Sequence, residues 1–186
     1  CMWELLILRI ISGSARGTKL VSLSGLSTRP TLDRVKEALF SSILPYITDE
    51  TVVLDLFAGS GALGLEALSR GAKKCEFVDA NSDCRSVIEE NITKTNLSLK
   101  SNLHITDYHN YLSQCNETFD LVFLDPPYKM GKMPEILSLI KPKLNNGAIV
   151  VAEVLKDTEF SYEGYEVLKK KNYGKVSIFI LCEEQI

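Results

Sequence analysis

The chain has 186 residues, 45% apolar and 24% charged, with a net charge of −3; this suits one globular domain with its own core, and the mild acidity speaks weakly against a nucleic-acid partner. Its five cysteines (Cys1, Cys75, Cys84, Cys115, Cys182) have no C-x-x-C spacing, which excludes a zinc site or disulfide frame and reads as reduced thiols in a cytoplasmic protein. The longest apolar run, residues 3–11, is broken by Glu4 and Arg9, so it neither spans a bilayer nor reads as a signal peptide.

Charge is unevenly placed. Residues 1–46 carry Arg9, Arg16, Lys19, Arg29, Arg34 and Lys36 against Glu4, Asp33 and Glu37, a net +3, and the remainder is −6. A basic front end on an acidic body fits a phosphate-facing edge. Residues 9–12 and 18–23 read as short strands around the turn Gly13-Ser14-Ala15-Arg16-Gly17. Arg29-Pro30-Thr31 then leads into an amphipathic helix over 32–44, with Val35, Leu39 and Ile43 on one face. The expectation is an N-terminal extension, residues 1–46, of short β-hairpin and helix, packed on a main domain over 47–186.

From residue 51 the pattern alternates. Strand-like runs at 51–57, 74–79, 103–107, 119–125 and 148–153 are separated by helical segments at 62–70, 83–95, 108–114 and 134–144. Such alternation predicts a parallel sheet covered on both faces. The tail changes character: runs at 165–171 and 175–182 flank Asn172-Tyr173-Gly174, a hairpin signal that predicts an antiparallel pair at one edge.

The first strand ends in Asp55-Leu-Phe57-Ala58-Gly59-Ser60-Gly61-Ala-Leu-Gly64 and opens a helix. Glycines allow close backbone approach, and a helix N-terminus offers free amides. The segment also satisfies G-x-G-x-x-G, with Asp79 twenty residues after Gly59, so an NAD or FAD enzyme is a rival. Asp55 favours S-adenosylmethionine (SAM), because a carboxylate there repels a pyrophosphate and attracts a sulfonium or ammonium group. Asp79 would accept ribose hydroxyls under either reading, and Asp107 is placed to meet the adenine amine.

The fourth strand ends in Asp125-Pro126-Pro127-Tyr128, beyond the carboxyl edge where open α/β sheets bind ligands. The prolines fix the backbone and leave carbonyls free to accept. Asp125 and the Pro126 carbonyl can take both N–H groups of an exocyclic aryl amine, turning its lone pair toward a methyl donor, while Tyr128 stacks on the base. Such a base must be unpaired or flipped out. His104 and His109 flank Asp107 and read as ordinary residues.

Asp55–Gly64, Asp79, Asp107 and Asp125–Tyr128, in this order, resemble the amino-group branch of the class I SAM methyltransferases. With the front end (Arg9 to Leu20, Arg29-Pro30-Thr31, Asp33-Arg34-Val35, Glu37 to Phe40) the chain resembles the RsmD family, bacterial 16S rRNA guanine(966)-N(2)-methyltransferases, over nearly its whole length. The resemblance implies a Rossmann-like, seven-stranded, mostly parallel sheet with the last strand antiparallel. It also implies a monomer acting on 16S rRNA in an assembled or assembling small ribosomal subunit, with neither metal nor membrane. The site it implies comprises Asp125, Pro126, Pro127 and Tyr128 for catalysis. Thr31, Asp55, Phe57, Ala58, Gly59, Ser60, Gly61, Asp79, Ala80, Asn81, Asp107 and Tyr108 would hold the cofactor, and Arg16, Lys19, Arg29 and Arg34 the RNA. The motifs themselves leave adenine N6 and cytosine N4 open as acceptors. A DNA amino-methyltransferase, a nucleotide-cofactor oxidoreductase and a catalytically idle RNA-binding factor are the rival functions.

Overall fold

The computed structural model describes residues 8–23 and 33–184. Helix α1 (Asp33–Ile43) leads into β1 (Val52–Asp55), α2 (Ala62–Ser69), β2 (Lys74–Asp79), α3 (Cys84–Thr95), β3 (Ser101–Ile105), α4 (Tyr108–Gln114), β4 (Phe119–Leu124) and α5 (Met133–Ile140). Then come β5 (Leu144–Leu155), β6 (Tyr165–Tyr173) and β7 (Val176–Glu183). They form one seven-stranded sheet in the order β3-β2-β1-β4-β5-β7-β6. Strands β1 to β5 pair in parallel, whereas β7 is antiparallel to both β5 and β6. The expected α/β sheet with an antiparallel last strand is therefore present, and it is the fold of the class I methyltransferases. Insertion of β7 between β5 and β6 also separates it from the 3-2-1-4-5-6 order of dinucleotide-binding domains.

The central strands are near-continuous apolar runs because both sheet faces are covered. One face packs α1, α2, α3 and the front segment around Phe40, Leu65, Phe77 and Phe123; the other packs α4 and α5 around Leu54, Tyr111, Phe119 and Ile136. Leu8, Ile10, Ala15 and Leu20 lie in the first of these cores, so the front segment shares its hydrophobic interior with the sheet.

The front segment folds back on itself as a short antiparallel turn rather than as full strands. Arg9 bridges Lys19, Ile10 N donates to Thr18 O at 3.0 Å, Gly17 N to Ile10 O at 2.8 Å and Leu20 N to Leu8 O at 2.7 Å. Other amides of the segment turn to the main domain: Ile11 and Ser12 donate to the Glu66 carboxylate at 2.9 and 3.1 Å, Ala15 to Ser69 Oγ at 2.9 Å and Val21 to Asn91 Oδ1 at 2.8 Å. Backbone donors need partners, and here buried side chains of α2 and α3 supply them. The fifth helix also ends earlier than expected, at Ile140, and β5 begins at Leu144. No helix of the described residues is long and apolar enough to cross a membrane.

Candidate active site

The carboxyl ends of β1, β2 and β4 bring the glycine loop, Asp79 and Asp125 to one edge of the sheet. The loop is bonded to both neighbouring strands: Leu56 N donates to Phe123 O at 3.2 Å and Ala58 N to Val78 O at 3.0 Å. Gly59 N donates to Asp79 Oδ2 at 2.8 Å, and the other oxygen of Asp79 accepts from Asn81 N at 2.9 Å. Gly61 starts α2 with φ +78°, a left-handed conformation that suits glycine. A Cβ at Gly64 would lie 2.4 Å from Phe77 Cε1 and 2.7 Å from Cys75 Sγ, so only glycine lets α2 settle this close to β2.

Asp55 is buried beneath the loop and accepts from Gly64 N at 3.0 Å. Burial pushes its carboxyl up to about 7; the Gly64 hydrogen bond opposes this and the nearby Asp79 adds to it. A carboxylate held half-protonated near neutral pH gains from a cation brought beside it, which fits the ammonium end of SAM better than a pyrophosphate.

Asp107 caps α4, accepting from Asn110 N and Nδ2 at 2.8 and 2.7 Å. Tyr108 follows it; its hydroxyl donates to Glu135 at 2.8 Å, and its ring lies 5.8 Å from that of Phe57. Phe57, Tyr108, Asp79 and Asp107 thus offer an aromatic pair and carboxylate acceptors, a set suited to an adenosine. Ala80 is exposed just beyond Asp79. Ser60 O accepts from Asn91 Nδ2 at 2.8 Å.

Asp125 is half-buried at the end of β4, followed by Pro126 (buried) and Pro127 (exposed). The backbone of Tyr128 starts a short 3-10 turn, Tyr128–Met130; its side chain lies outside the described residues, as do Arg29 and Thr31. Asp125 lines a hollow with Leu39 of α1, Leu63 of α2 and Glu153 of β5.

Three contributors escaped the sequence reading. Glu153 follows Ala152, the partner of Leu124 in the β4–β5 register, so it stands beside Asp125; only strand pairing reveals this. Asn91, fully buried, holds Val21 by both N and O and also reaches Ser60, tying the front segment to the glycine loop. Glu66 is fully buried and binds Lys36 and Arg70.

The front-end cations are dispersed. Lys36 is buried and donates to Arg9 O, and Arg9 pairs with Asp33 at 2.8 Å. The Lys36 charge is thus withdrawn from the surface, whereas that of Arg9 is exposed but paired. Arg16 is exposed in a turn whose Ser14 and Ala15 amides bind Ser69, the last residue of α2. Because α2 runs back from the carboxyl edge, that turn sits toward the opposite edge from Asp125. The expected continuity of Arg16 with the Asp125 pocket is therefore not found. Lys19, in the middle of the segment, and Arg34, in the first turn of α1, are both exposed. His104 is accounted for by Glu76 at 2.7 Å and the Tyr111 ring at 4.9 Å.

Comparison with known proteins places this geometry. The family described as Conserved hypothetical protein 95 matches residues 8–182. The chain is 38% identical over 180 residues to YlbH of Bacillus subtilis, covering 93% of this chain and 97% of that one. It is 38% identical over 175 residues to "Ribosomal RNA small subunit methyltransferase D" of Haemophilus influenzae, covering 91% and 90%. A solved chain from Escherichia coli superposes with TM-score 0.84 at 29% identity, covering 96% and 98%. The chain belongs to the Conserved hypothetical protein 95 family, the RsmD-like methyltransferases, whose methyl donor is SAM.

Proposed function

We propose that the protein transfers a methyl group to the exocyclic N2 of a guanine in 16S rRNA, acting as a cytoplasmic monomer on an assembled or assembling small ribosomal subunit. The observation that carries this reading is the pairing of Asp125 with Glu153 in one hollow at the carboxyl edge, next to the glycine loop. An exocyclic amine is flanked differently in each base. Adenine N6 and cytosine N4 sit beside ring nitrogens that accept hydrogen bonds, whereas guanine N2 sits beside N1–H, a donor. Two carboxylates and the Pro126 carbonyl match the three N–H bonds of guanine N1 and N2. With adenine or cytosine a second carboxylate would face a lone pair.

SAM supplies the methyl group: its S–CH3 bond breaks as an N2–CH3 bond forms, S-adenosylhomocysteine leaves, and the extra N2 proton passes to water. Asp125 and the Pro126 carbonyl hold the amine with its lone pair aimed at the donor, and the Asp125 charge stabilises the developing cation. Pro127 keeps the turn rigid and Tyr128 stacks on the base. Asp55 meets the ammonium group, Asp79, Ala80 and Asn81 frame the ribose, and Phe57, Asp107 and Tyr108 frame the adenine. The backbone of Ala58 to Gly61 leaves room for the chain between them, with Thr31 bordering the cleft. Lys19, Arg29 and Arg34 face RNA, and Arg16 is the weakest member of that set. Haemophilus influenzae methyltransferase D, at 38% identity, carries a small-subunit rRNA name, which supports the substrate. The test is mass spectrometry of rRNA nucleosides from cells with and without the gene. Loss of an N2-methylguanosine from small-subunit RNA is expected; an unchanged nucleoside profile overturns the reading.

A further inference from the structure

We propose that the outer strands β7 and β6 carry a lysine-lined groove that seats the phosphodiester backbone of the acceptor RNA and leads its target base into the Asp125 hollow. The inference rests on the proposed RNA substrate and adds a docking surface outside the front end. Strand register supplies its geometry. Glu153 pairs with Ile178, and Ile178 with Lys171; Val151 pairs with Ile180, and Ile180 with Lys169. With Asp125 beside Glu153, the row Asp125, Glu153, Ile178, Lys171 crosses four adjacent strands on one face. At roughly 4.8 Å per strand, Lys171 stands about 14 Å from Asp125, before the length of its side chain is added.

The surface confirms the row. A second hollow, lined by Ser42, Lys169, Lys171 and Tyr173, shares Leu39 and Ile178 with the hollow that holds Asp125. The two adjoin at Leu39 and Ile178, with lysines at the outer end and carboxylates where the base would sit. Lys169 Nζ lies 2.9 Å from Ser42 Oγ at the rim, and Tyr173 offers a ring for stacking an unpaired base. Lys156 and Lys175, both exposed, join through Lys156 N to Lys175 O at 2.9 Å at the same end of the hairpin, extending the positive strip along the carboxyl edge.

Lysines on an edge strand have a simpler explanation, since charge there blocks edge-to-edge pairing. The two explanations separate by face and by sign. Lys170, between the two groove lysines, points the other way and lies over the Phe179 ring at 4.9 Å. Edge protection is served by any charge at any of the three positions. RNA binding needs positive charge at Lys169 and Lys171.

The experiment compares wild type, Lys169→Glu/Lys171→Glu, Lys169→Gln/Lys171→Gln and Lys170→Glu. Binding of a single-stranded RNA hairpin-loop oligonucleotide and of naked 16S rRNA is measured from low to moderate salt, with SAM affinity and melting temperature as controls. The groove predicts about tenfold weaker RNA binding or more in both double variants. The log–log salt slope of the Gln pair should flatten by about 1.4, two contacts at about 0.7 each. SAM affinity and melting temperature should hold in all variants, and Lys170→Glu should resemble wild type. Wild-type binding in the double variants, or an equal loss in Lys170→Glu, overturns the groove while leaving the RNA substrate standing. Loss of methylation confined to assembled particles, with naked RNA bound normally, gives the lysines to an acidic protein partner and also overturns it. Failure of wild type to bind either RNA overturns the substrate reading itself, and the groove with it.

Discussion

Lys36 Nζ lies 3.3 Å from Glu66, and both side chains are fully buried. The Glu66 carboxylate also accepts from Ile11 N, Ser12 N and, at 2.8 Å, Arg70 Nε, so one residue of α2 fastens both α1 and the front segment to the domain. Burial holds the Lys36 ammonium below its ordinary range, against the pull of Glu66. Removing one partner of a buried pair costs about 3–5 kcal/mol, because the other is left uncompensated. Glu66→Ala should therefore lower stability by that order in urea melts. Lys36→Met should be milder, since Arg70 and two amides still satisfy Glu66. Equal, small effects would show that the hub does not hold the extension.

Gly64→Ala should destabilise by about 1–3 kcal/mol, the usual cost of overpacking. The new methyl would meet Phe77 and Cys75 on β2, forcing α2 outward and shifting the loop that it begins. Thermal melts with and without SAM measure both effects. An unchanged melting temperature would mean that α2 has slack.

Asp55 gives a pH dependence whose sign follows from its raised pKa. Its folded value, about 7, lies above the ordinary 3.8, so its contribution to stability is present below 3.8 and is lost as pH rises toward 7. A cationic ligand prefers the ionised form. SAM affinity should rise with pH up to about 7, by at most about tenfold per unit below it, and level off above. In Asp55→Asn this slope should vanish and binding should be weaker throughout. Calorimetry at several pH values decides; a flat wild-type profile removes Asp55 from the cofactor site.

At the acceptor end, Asp125→Ala should lower kcat on the order of 100-fold while SAM affinity barely moves. Glu153→Gln tests base choice. The Gln amide can turn its NH2 toward an acceptor, so discrimination against adenine in single-turnover assays should fall while SAM affinity holds. Full discrimination in Glu153→Gln would return Glu153 to a structural role.

Much of this was legible in the sequence because each strand ends in a residue whose chemistry marks it. Asp55, Asp79 and Asp125 follow apolar runs, and the parallel fold gathers their ends at one edge. Gly61 and Gly64 announced the tight start of α2. What pairing alone determines was not legible: Glu153 becomes a neighbour of Asp125 only through the β4–β5 register, and Lys171 aligns with it only because β7 inserts beside β5. The anchoring of the front segment was hidden for another reason. Its alternating residues read as a hairpin, but Glu66, Ser69 and Asn91, which take its remaining amides, are distant in sequence. Lys36 counted as surface charge until its partner was known to be buried.

The most direct measurement is made in vitro. Small-subunit particles and naked 16S rRNA from cells lacking the gene are incubated with purified protein and methyl-labelled SAM, then digested to nucleosides. The expected result is label in N2-methylguanosine alone, greater with particles than with naked RNA, and abolished in Asp125→Ala. Label in N6-methyladenosine or N4-methylcytidine, or none at all with SAM bound, would contradict the assignment.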